Sequence, residues 1–295
     1  MRILLLCCLF LLAACQSRGV LPPPAPIAPE GHEHAQLGQI VDLASGERVS
    51  PEQLVERLAR APRVLVGEQH DNPDHHALQL WLSRELAAQR PQGSVLMEML
   101  NPSQQAKVEQ AQAETRAGQP PDDAYGALAW QPGWGWGLYG ALVQYQLRQP
   151  YPLLSANLDR DEIMQIYQAR PVLQGQASTA KAVQEKLQED IRESHCGLLP
   201  DSQIPAMLAV QQQRDRRMAE RLIAAPQPAL LLAGAFHVRK DLGVPLHLAD
   251  LGAGEGNLVL ILAEVGKEPA VGSADYVWYT AANVPEDHCA KLRKK

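Results

Sequence analysis

Apolar runs of strand length alternate along this chain with stretches in which apolar residues return every three or four positions. The runs Val64–Gly67, Ser94–Met99, Tyr151–Ala156, Ala229–Gly234 and Asn257–Val265 are continuous, the pattern of strands buried on both faces. Between and after them the helical period predicts helices at His75–Gln89, Gln104–Thr115, Gly137–Arg148, Asp161–Ala169, Ala180–Glu193, Ile204–Ala224 and Val244–Leu251. Strand alternating with helix predicts an α/β fold, a mostly parallel sheet flanked by helices. Several helices in a row between the third and fourth strands break that alternation. They predict a smaller helical subdomain over about residues 161–225.

The first residues carry no fold. Arg2, the apolar stretch Ile3–Leu12 and the sequence Leu12-Ala13-Ala14-Cys15 read as a signal peptide over residues 1–14, too short for a stable transmembrane helix. Cys15 after Leu-Ala-Ala resembles a bacterial lipobox, in which Cys15 is the lipidated N-terminus; an ordinary signal peptide cut nearby is the alternative. Gln16, in place of Asp, favours the outer membrane by resemblance to Gram-negative sorting rules. Residues 15–36 hold Pro22, Pro23, Pro24, Pro26 and Pro29 and little to bury, which predicts an extended tether. His32-Glu33-His34 within it reads either as a metal site or as solvated side chains. The remainder, residues 37–295, is long enough for a sizeable core. A net charge of −6 with no basic patch gives nucleic acid no footing. Without a second long apolar segment, membrane attachment rests on lipid alone.

Once the signal peptide and Cys15 are set aside, Cys196 and Cys289 remain. In an oxidising compartment such a pair reads as one disulfide. Two free thiols, or a metal site using Cys196 with His195, are the alternatives.

The chemistry gathers where strands end. Gly67-Glu68-Gln69-His70-Asp71-Asn72-Pro73-Asp74-His75-His76 joins the first strand to its helix, and a turn kept only for connection needs no such set of acids and imidazoles. Glu98 closes the second strand, Asn157 and Asp159 follow the third, and Gly234-Ala235-Phe236-His237 follows the fourth. In an open α/β sheet, ligands sit beyond the carboxyl ends of the strands, so these residues converge on one edge. Glu68, His70, Glu98 and His237 are suited to a divalent metal or to acid–base chemistry; the bland reading is that they satisfy loop amides. His75 and His76, after the N-cap candidate Asp74, read equally as a polar helix start or as ligand contacts.

Trp130, Trp134, Trp136 and Tyr139 cluster in a chain otherwise poor in aromatics, as core anchors or as the wall of a flat ligand's site. On a later helix Gln211, Arg214, Asp215 and Met218 share one face, where an inward Arg–Asp pair is an ion pair or ligand clamp. Gly252-Ala253-Gly254-Glu255-Gly256 precedes a strand and so lacks the strand–turn–helix context of a dinucleotide loop.

The runs GEQHDNPDHHALQ, MEM, W-x-x-x-W, SAN, SHCGLLP, QQQRDRRMA, GAFHVRKDLGVPLHL and DYVWYT resemble the ChaN-like haem-binding lipoproteins across essentially the whole mature chain. That resemblance implies an outer-membrane lipoprotein in haem uptake and a homodimer holding stacked haems between subunits; a separate reading, with the acid–imidazole edge vestigial, makes the protein only a partner of an outer-membrane haem receptor. The resemblance also implies a Tyr ligand to each iron and a His from the partner subunit. Tyr139 is the expected ligand, with Tyr125, Tyr145 and Tyr167 as rivals, and His70, His75, His76 and His237 are the expected imidazoles near haem. The paired Gly-x-x-His pattern also resembles the wider superfamily of erythromycin esterases and Tiki-type metalloproteases. There Glu68, His70, Glu98 and His237 would form the site of a metal-dependent hydrolase, an esterase or peptidase.

Overall fold

The computed structural model describes residues 19–293; the signal-peptide segment, Cys15 and Gln16 lie outside the described residues. The strands are β1 (Ile40–Asp42), β2 (Arg48–Val49), β3 (Arg63–Glu68), β4 (Ser94–Met97), β5 (Leu153–Ser155), β6 (Ala229–Gly234), β7 (Asn257–Glu264) and β8 (Tyr276–Thr280). They form one eight-stranded sheet in the order β2-β1-β8-β7-β3-β6-β4-β5. From β8 to β5 every pairing is parallel, and β1 pairs antiparallel with both β8 and β2 at the other edge.

The helices are α1 (Pro51–Ala59), α2 (Pro73–Gln89), α3 (Gln105–Arg116), α4 (Ala124–Ala127), α5 (Trp136–Leu147), α6 (Arg160–Ala169), α7 (Lys181–Ser194), α8 (Ile204–Ala224), α9 (Ala235–Val238), α10 (Val244–Asp250) and α11 (His288–Leu292). Successive strand residues point to opposite faces, so each strand feeds two cores. Val64, Val66, Leu230, Leu232 and Leu260 pack against Leu54, Leu82 and Val143 of α1, α2 and α5. Leu65, Leu231, Val259 and Ile261 pack against Met218, Leu222 and Leu248 of α8 and α10. The result is a sheet covered on both sides, as the unbroken apolar runs predicted.

The helical region departs from a self-contained subdomain. A small cluster of Leu187, Ile191, Ile204, Leu208 and Leu242 holds α7 on the start of α8. The far end of α8, however, buries Met218, Ala219 and Leu222 against the sheet, so this one helix serves both regions. β8, β1, β2 and α1 were not anticipated. Tyr276-Val-Trp-Tyr-Thr is five residues long and aromatic, and it reads as a motif before it reads as a strand. The start of α1 is capped by Ser50 with Gln53 returning the bond and Pro51 in the first turn, a signal present in the sequence.

The described part of the expected extended tether, residues 19–36, lies along the domain. Trp81 Nε1 donates to Leu21 O (3.0 Å), and Leu21 N–H donates to Glu85 Oε2 (3.2 Å). Asp74 Oδ1 accepts the N–H groups of Ile27 and Ala28, Ala28 is fully buried, and Glu30 bridges Ala282. A proline-rich stretch is already extended and loses little entropy on docking, and α2 supplies the acceptors its few free N–H groups need. His32 turns Nε2 to Ala28 O (2.8 Å), and His34 Nδ1 accepts from Gln36 N–H. Cys196 and Cys289 form a disulfide with Cα atoms 5.6 Å apart, so neither free thiols nor a Cys196–His195 metal site describes the pair.

Asp74→Ala removes the shared acceptor for Ile27 and Ala28 and leaves two N–H groups unpaired. The expected cost is about 2 kcal/mol, read as a lowered urea midpoint, with limited proteolysis shifting to residues 20–28.

Candidate functional site

β3 and β6 lie side by side with Glu68 in register with Gly234, so the two Gly-x-x-His turns leave the sheet at one level. Glu68 is buried at the end of β3. Its Oε1 accepts from His70 Nδ1 (2.8 Å) and from the Tyr139 hydroxyl, and its Oε2 lies 3.3 Å from His76 Nδ1. Burial alone would push this carboxyl up. The hydrogen bonds and charges of His70 and His76 outweigh it and hold the group at about 2, hence ionised.

The second centre is His237, buried in α9. Its Nδ1 donates to Asp215 Oδ1 at 2.5 Å, and its Nε2 lies 3.3 Å from Glu98 Oε1. Gln211 of α8 sits 3.2 Å from the same Nδ1. Burial disfavours an imidazolium, yet the charges of Glu98 and Asp215 and their hydrogen bonds raise His237 to about 10. Glu98, buried likewise, is held well below the usual carboxylate range by His237, by His70 and by the Gly234 N–H, which donates to Oε2 (2.8 Å). His237 is thus an imidazolium locked between two carboxylates.

His70 is different. Its Nδ1 is turned inward to Glu68 and to the Tyr139 hydroxyl (3.3 Å), while the side chain stays 43% exposed. The ring lies over Gly234, where a Cβ would stand 2.8 Å from Nε2 and 3.5 Å from Glu98 Oε2. Gly234 is therefore required by the imidazole above it. Burial lowers the His70 pKa, but its bond to Glu68 and the charges of Glu98 and Glu68 prevail and raise it. Trp134 meets the ring edge-on at 4.9 Å.

These groups border a cleft of about 580 Å³ between the sheet edge and α7, a volume typical of a small-molecule site. Its polar lining includes Glu68, His70, Gln211 and His237. Leu187, Ile191, Phe236, Ile261 and Ala270 supply apolar surface, and Phe236 stands 62% exposed at the mouth. Glu98, His75, His76 and Tyr139 lie behind this lining. His75 is fully buried: Nδ1 accepts from Gln69 N–H (2.8 Å) and Nε2 meets Thr280 Oγ1 (3.0 Å). Burial lowers it to about 4, so it stays neutral. His76 Nε2 meets His70 O (2.9 Å), and its ring packs edge-on against Tyr139 at 4.3 Å. Both brace the turn from beneath, and neither faces a ligand.

Tyr139, expected to reach iron as a phenolate, is buried, with its proton committed to Glu68. Burial and the nearby carboxylates of Glu68 and Glu98 push its pKa far up, the opposite of what a phenolate ligand needs. Trp130 is core beside it, while Trp134 and Trp136 are half-buried. Asn157 donates to Glu98 O (2.9 Å), and Asp159 caps α6 and holds Ser103, so both serve the loops. Asp215 pairs with His237 and not with Arg214, a partnership hidden in the sequence. The shared helical face of Gln211, Asp215 and Met218 was the available signal. Among the described residues, no group of three or more His, Cys, Asp or Glu side chains is arranged to hold a metal ion. Glu68 is turned onto His70, His76 and Tyr139, and Glu98 onto His237 and the Gly234 N–H, and the divalent-metal expectation finds no support.

His75 makes the acid response predictable. Unfolded, it takes up a proton near pH 6.5; folded, it refuses one until about pH 4. Its neutral burial is fully stabilising above pH 6.5 and is lost as pH falls through 4. Over that window, stability drops by about 3 kcal/mol. His75→Gln flattens this part of the pH profile of the urea midpoint, while the loss on protonating Glu68, between pH 4.5 and about 2, persists.

The comparisons with known proteins bear on the family and the fold. The sequence profile described as haem-binding uptake, Tiki superfamily, ChaN matches residues 54–248. The solved structure of ChaN from Campylobacter jejuni, described by its cofacial haem binding, superposes with a TM-score of 0.76 at 30% identity, covering 83% of this chain and 97% of that one. An erythromycin esterase, EreC, in its open conformation is similar at a TM-score of 0.45 and 14% identity, over 86% of this chain and 85% of its own, which adds nothing to the reading of the site. No curated protein sequence matches. The chain belongs to the ChaN family of haem-binding uptake proteins in the Tiki superfamily.

Proposed function

We propose that this protein holds haem in the cleft between the sheet edge and α7, with His70 presenting Nε2 to the ligand. The observation that carries the reading is the state of the two paired imidazoles. His237 has both nitrogens against carboxylates, whereas His70 is braced at Nδ1 and open at Nε2 above Gly234. A hydrogen bond from the remote ring nitrogen to a carboxylate fixes the ring and raises its basicity, the usual arrangement of an imidazole that ligates. Phe236, Leu187, Ile191 and Ile261 give the apolar surface a porphyrin face requires. Bound haem would supply a ferric iron, which His70 would hold. The chain's own contribution is to orient His70, through Glu68 and Tyr139, and to exclude water with Phe236.

The wider setting belongs to the same proposal. Cys15 carries lipid and anchors the protein to the bacterial outer membrane, on its periplasmic face. Haem is bound between two copies of the chain during iron uptake, with an outer-membrane haem receptor as partner. The family relation and the sequence Leu12-Ala13-Ala14-Cys15 support this. The relative from Campylobacter jejuni is itself described as binding haem cofacially.

A second reading, hydrolysis of an ester or peptide, has one observation in its favour. The Glu68–His70 pair, with Nε2 toward the cleft, is also the arrangement of a general base. Ester turnover that is lost in His70→Ala while hemin still binds would favour it.

Hemin titrated into the purified protein is expected to give a saturable Soret shift at micromolar protein. His70→Ala should weaken binding tenfold or more. Tyr139→Phe, which keeps the ring and removes the proton held by Glu68, should weaken it less. Absence of any shift in the unaltered protein refutes the haem reading, and a larger loss in Tyr139→Phe than in His70→Ala returns the ligand role to Tyr139.

A further inference from the structure

The cleft has two walls of different origin. One is the sheet edge, from Gly234 and Ile261–Glu264; the other is the C-terminal half of α7, through Leu187, Asp190, Ile191 and Ser194. The segment leading into α7 is pinned firmly. Asp250 accepts the N–H groups of Gln176 (2.8 Å), Ala177 (2.8 Å) and Ser178 (3.0 Å) and the Ser178 hydroxyl (2.6 Å). The body of α7 rests on a small apolar cluster separate from the two cores of the sheet, with Arg192 on Asp201 (3.3 Å) and Asp190 3.9 Å from Arg239 beside it. Its far end is held by Cys196, joined to Cys289 across 93 residues of sequence.

The chain that brings Cys289 there starts at the opposite wall. Just beyond β8, Asn72 Nδ2 donates to Ala281 O (3.0 Å). Asn283 N–H donates to Glu264 Oε1 (2.9 Å), and Asn283 Nδ2 donates to Asp71 O (2.9 Å). The tail is therefore fixed to the turn that carries His70. From Asn283 it reaches Cys289 in a few exposed residues and is bonded to the end of α7. Fully extended, that stretch spans at most about 20 Å. The sheet edge and the end of α7 are thus joined across the cleft through the tail and its disulfide.

We propose that the C-terminal tail is a disulfide-closed clamp that sets the width of the cleft. With Cys196 and Cys289 joined, α7 is held at a fixed distance from the His70 turn. With the thiols apart, α7 swings about the end pinned by Asp250, and the cleft opens. The consequence for ligand retention rests on the haem reading above; the mechanical claim does not. Closure takes two electrons and two protons from the thiols to a thiol–disulfide oxidant. Opening by a trialkylphosphine breaks the S–S bond as phosphorus attacks one sulfur. Water then converts the phosphonium to the phosphine oxide, leaving two thiols.

The test is hydrogen exchange and hemin dissociation in three samples: the oxidised protein, the same protein treated with a trialkylphosphine, and the Cys196→Ser/Cys289→Ser variant. Amides of residues 187–194 are expected to exchange tenfold or more faster in both opened forms, with Gln176–Ser178 unchanged, and hemin to dissociate at least fivefold faster. Unchanged exchange at 187–194 overturns the clamp. Faster exchange with unchanged hemin dissociation overturns its role in holding ligand. If hemin binds none of the samples, the haem reading fails and exchange alone decides the clamp. If the double variant does not fold, the phosphine-treated protein decides.

Discussion

Glu68 stands at the end of the central strand with both oxygens out of reach of water. An unpaired carboxylate there would cost several kcal/mol or give up its charge. Its neighbours are therefore not optional: His70 and the Tyr139 hydroxyl on one oxygen, His76 beside the other. Each comes from a different part of the chain. Satisfying this single group draws α2 and α5 to the strand end, and it leaves one imidazole facing outward with its proton placement set by the carboxylate behind it.

The two Gly-x-x-His turns begin alike and end differently. On the β3 side the imidazole has one carboxylate and keeps a free nitrogen. On the β6 side α8 brings Asp215 to Nδ1 while Glu98 faces Nε2, and His237 becomes a fixed positive charge. Both turns require glycine for the same steric reason. A Cβ at Gly234 would strike His70, and one at Gly67 would strike Val238 of the neighbouring turn at 2.5 Å. The turns interlock, each glycine packed against a side chain that follows the other strand.

The cleft inherits that rigidity on one wall only. The sheet edge is built on two large cores, whereas α7 sets Leu187 and Ile191 into a small cluster with Ile204, Leu208 and Leu242 and is followed by a disulfide. A ligand seated on His70 and Phe236 would therefore meet one surface built on the sheet and one that the proposed clamp positions. The N-terminal segment behaves in parallel, tied to α2 by Asp74 and Trp81. Among the described residues, the segments near both ends are fastened to the turn or the helix that carries the imidazoles.

Much of this was legible in the order of residues. Continuous apolar runs announce strands buried on both faces, because a parallel sheet covered by helices leaves no wet face to encode, and all five such runs became strands. Glu68, His70, Glu98 and His237 declared themselves because chemistry placed directly after a strand has only one edge to occupy. β8 was missed since five aromatic and β-branched residues carry too little period, and the docking of residues 20–36 since proline-rich sequence looks the same bound or free. The roles of Asp215, His75, His76 and Tyr139 belong to the tertiary structure alone. Whether an imidazole or a phenol faces ligand or braces the wall depends on which distant side chain reaches it first. That is settled by packing between α8, α5 and the sheet, which no local pattern records.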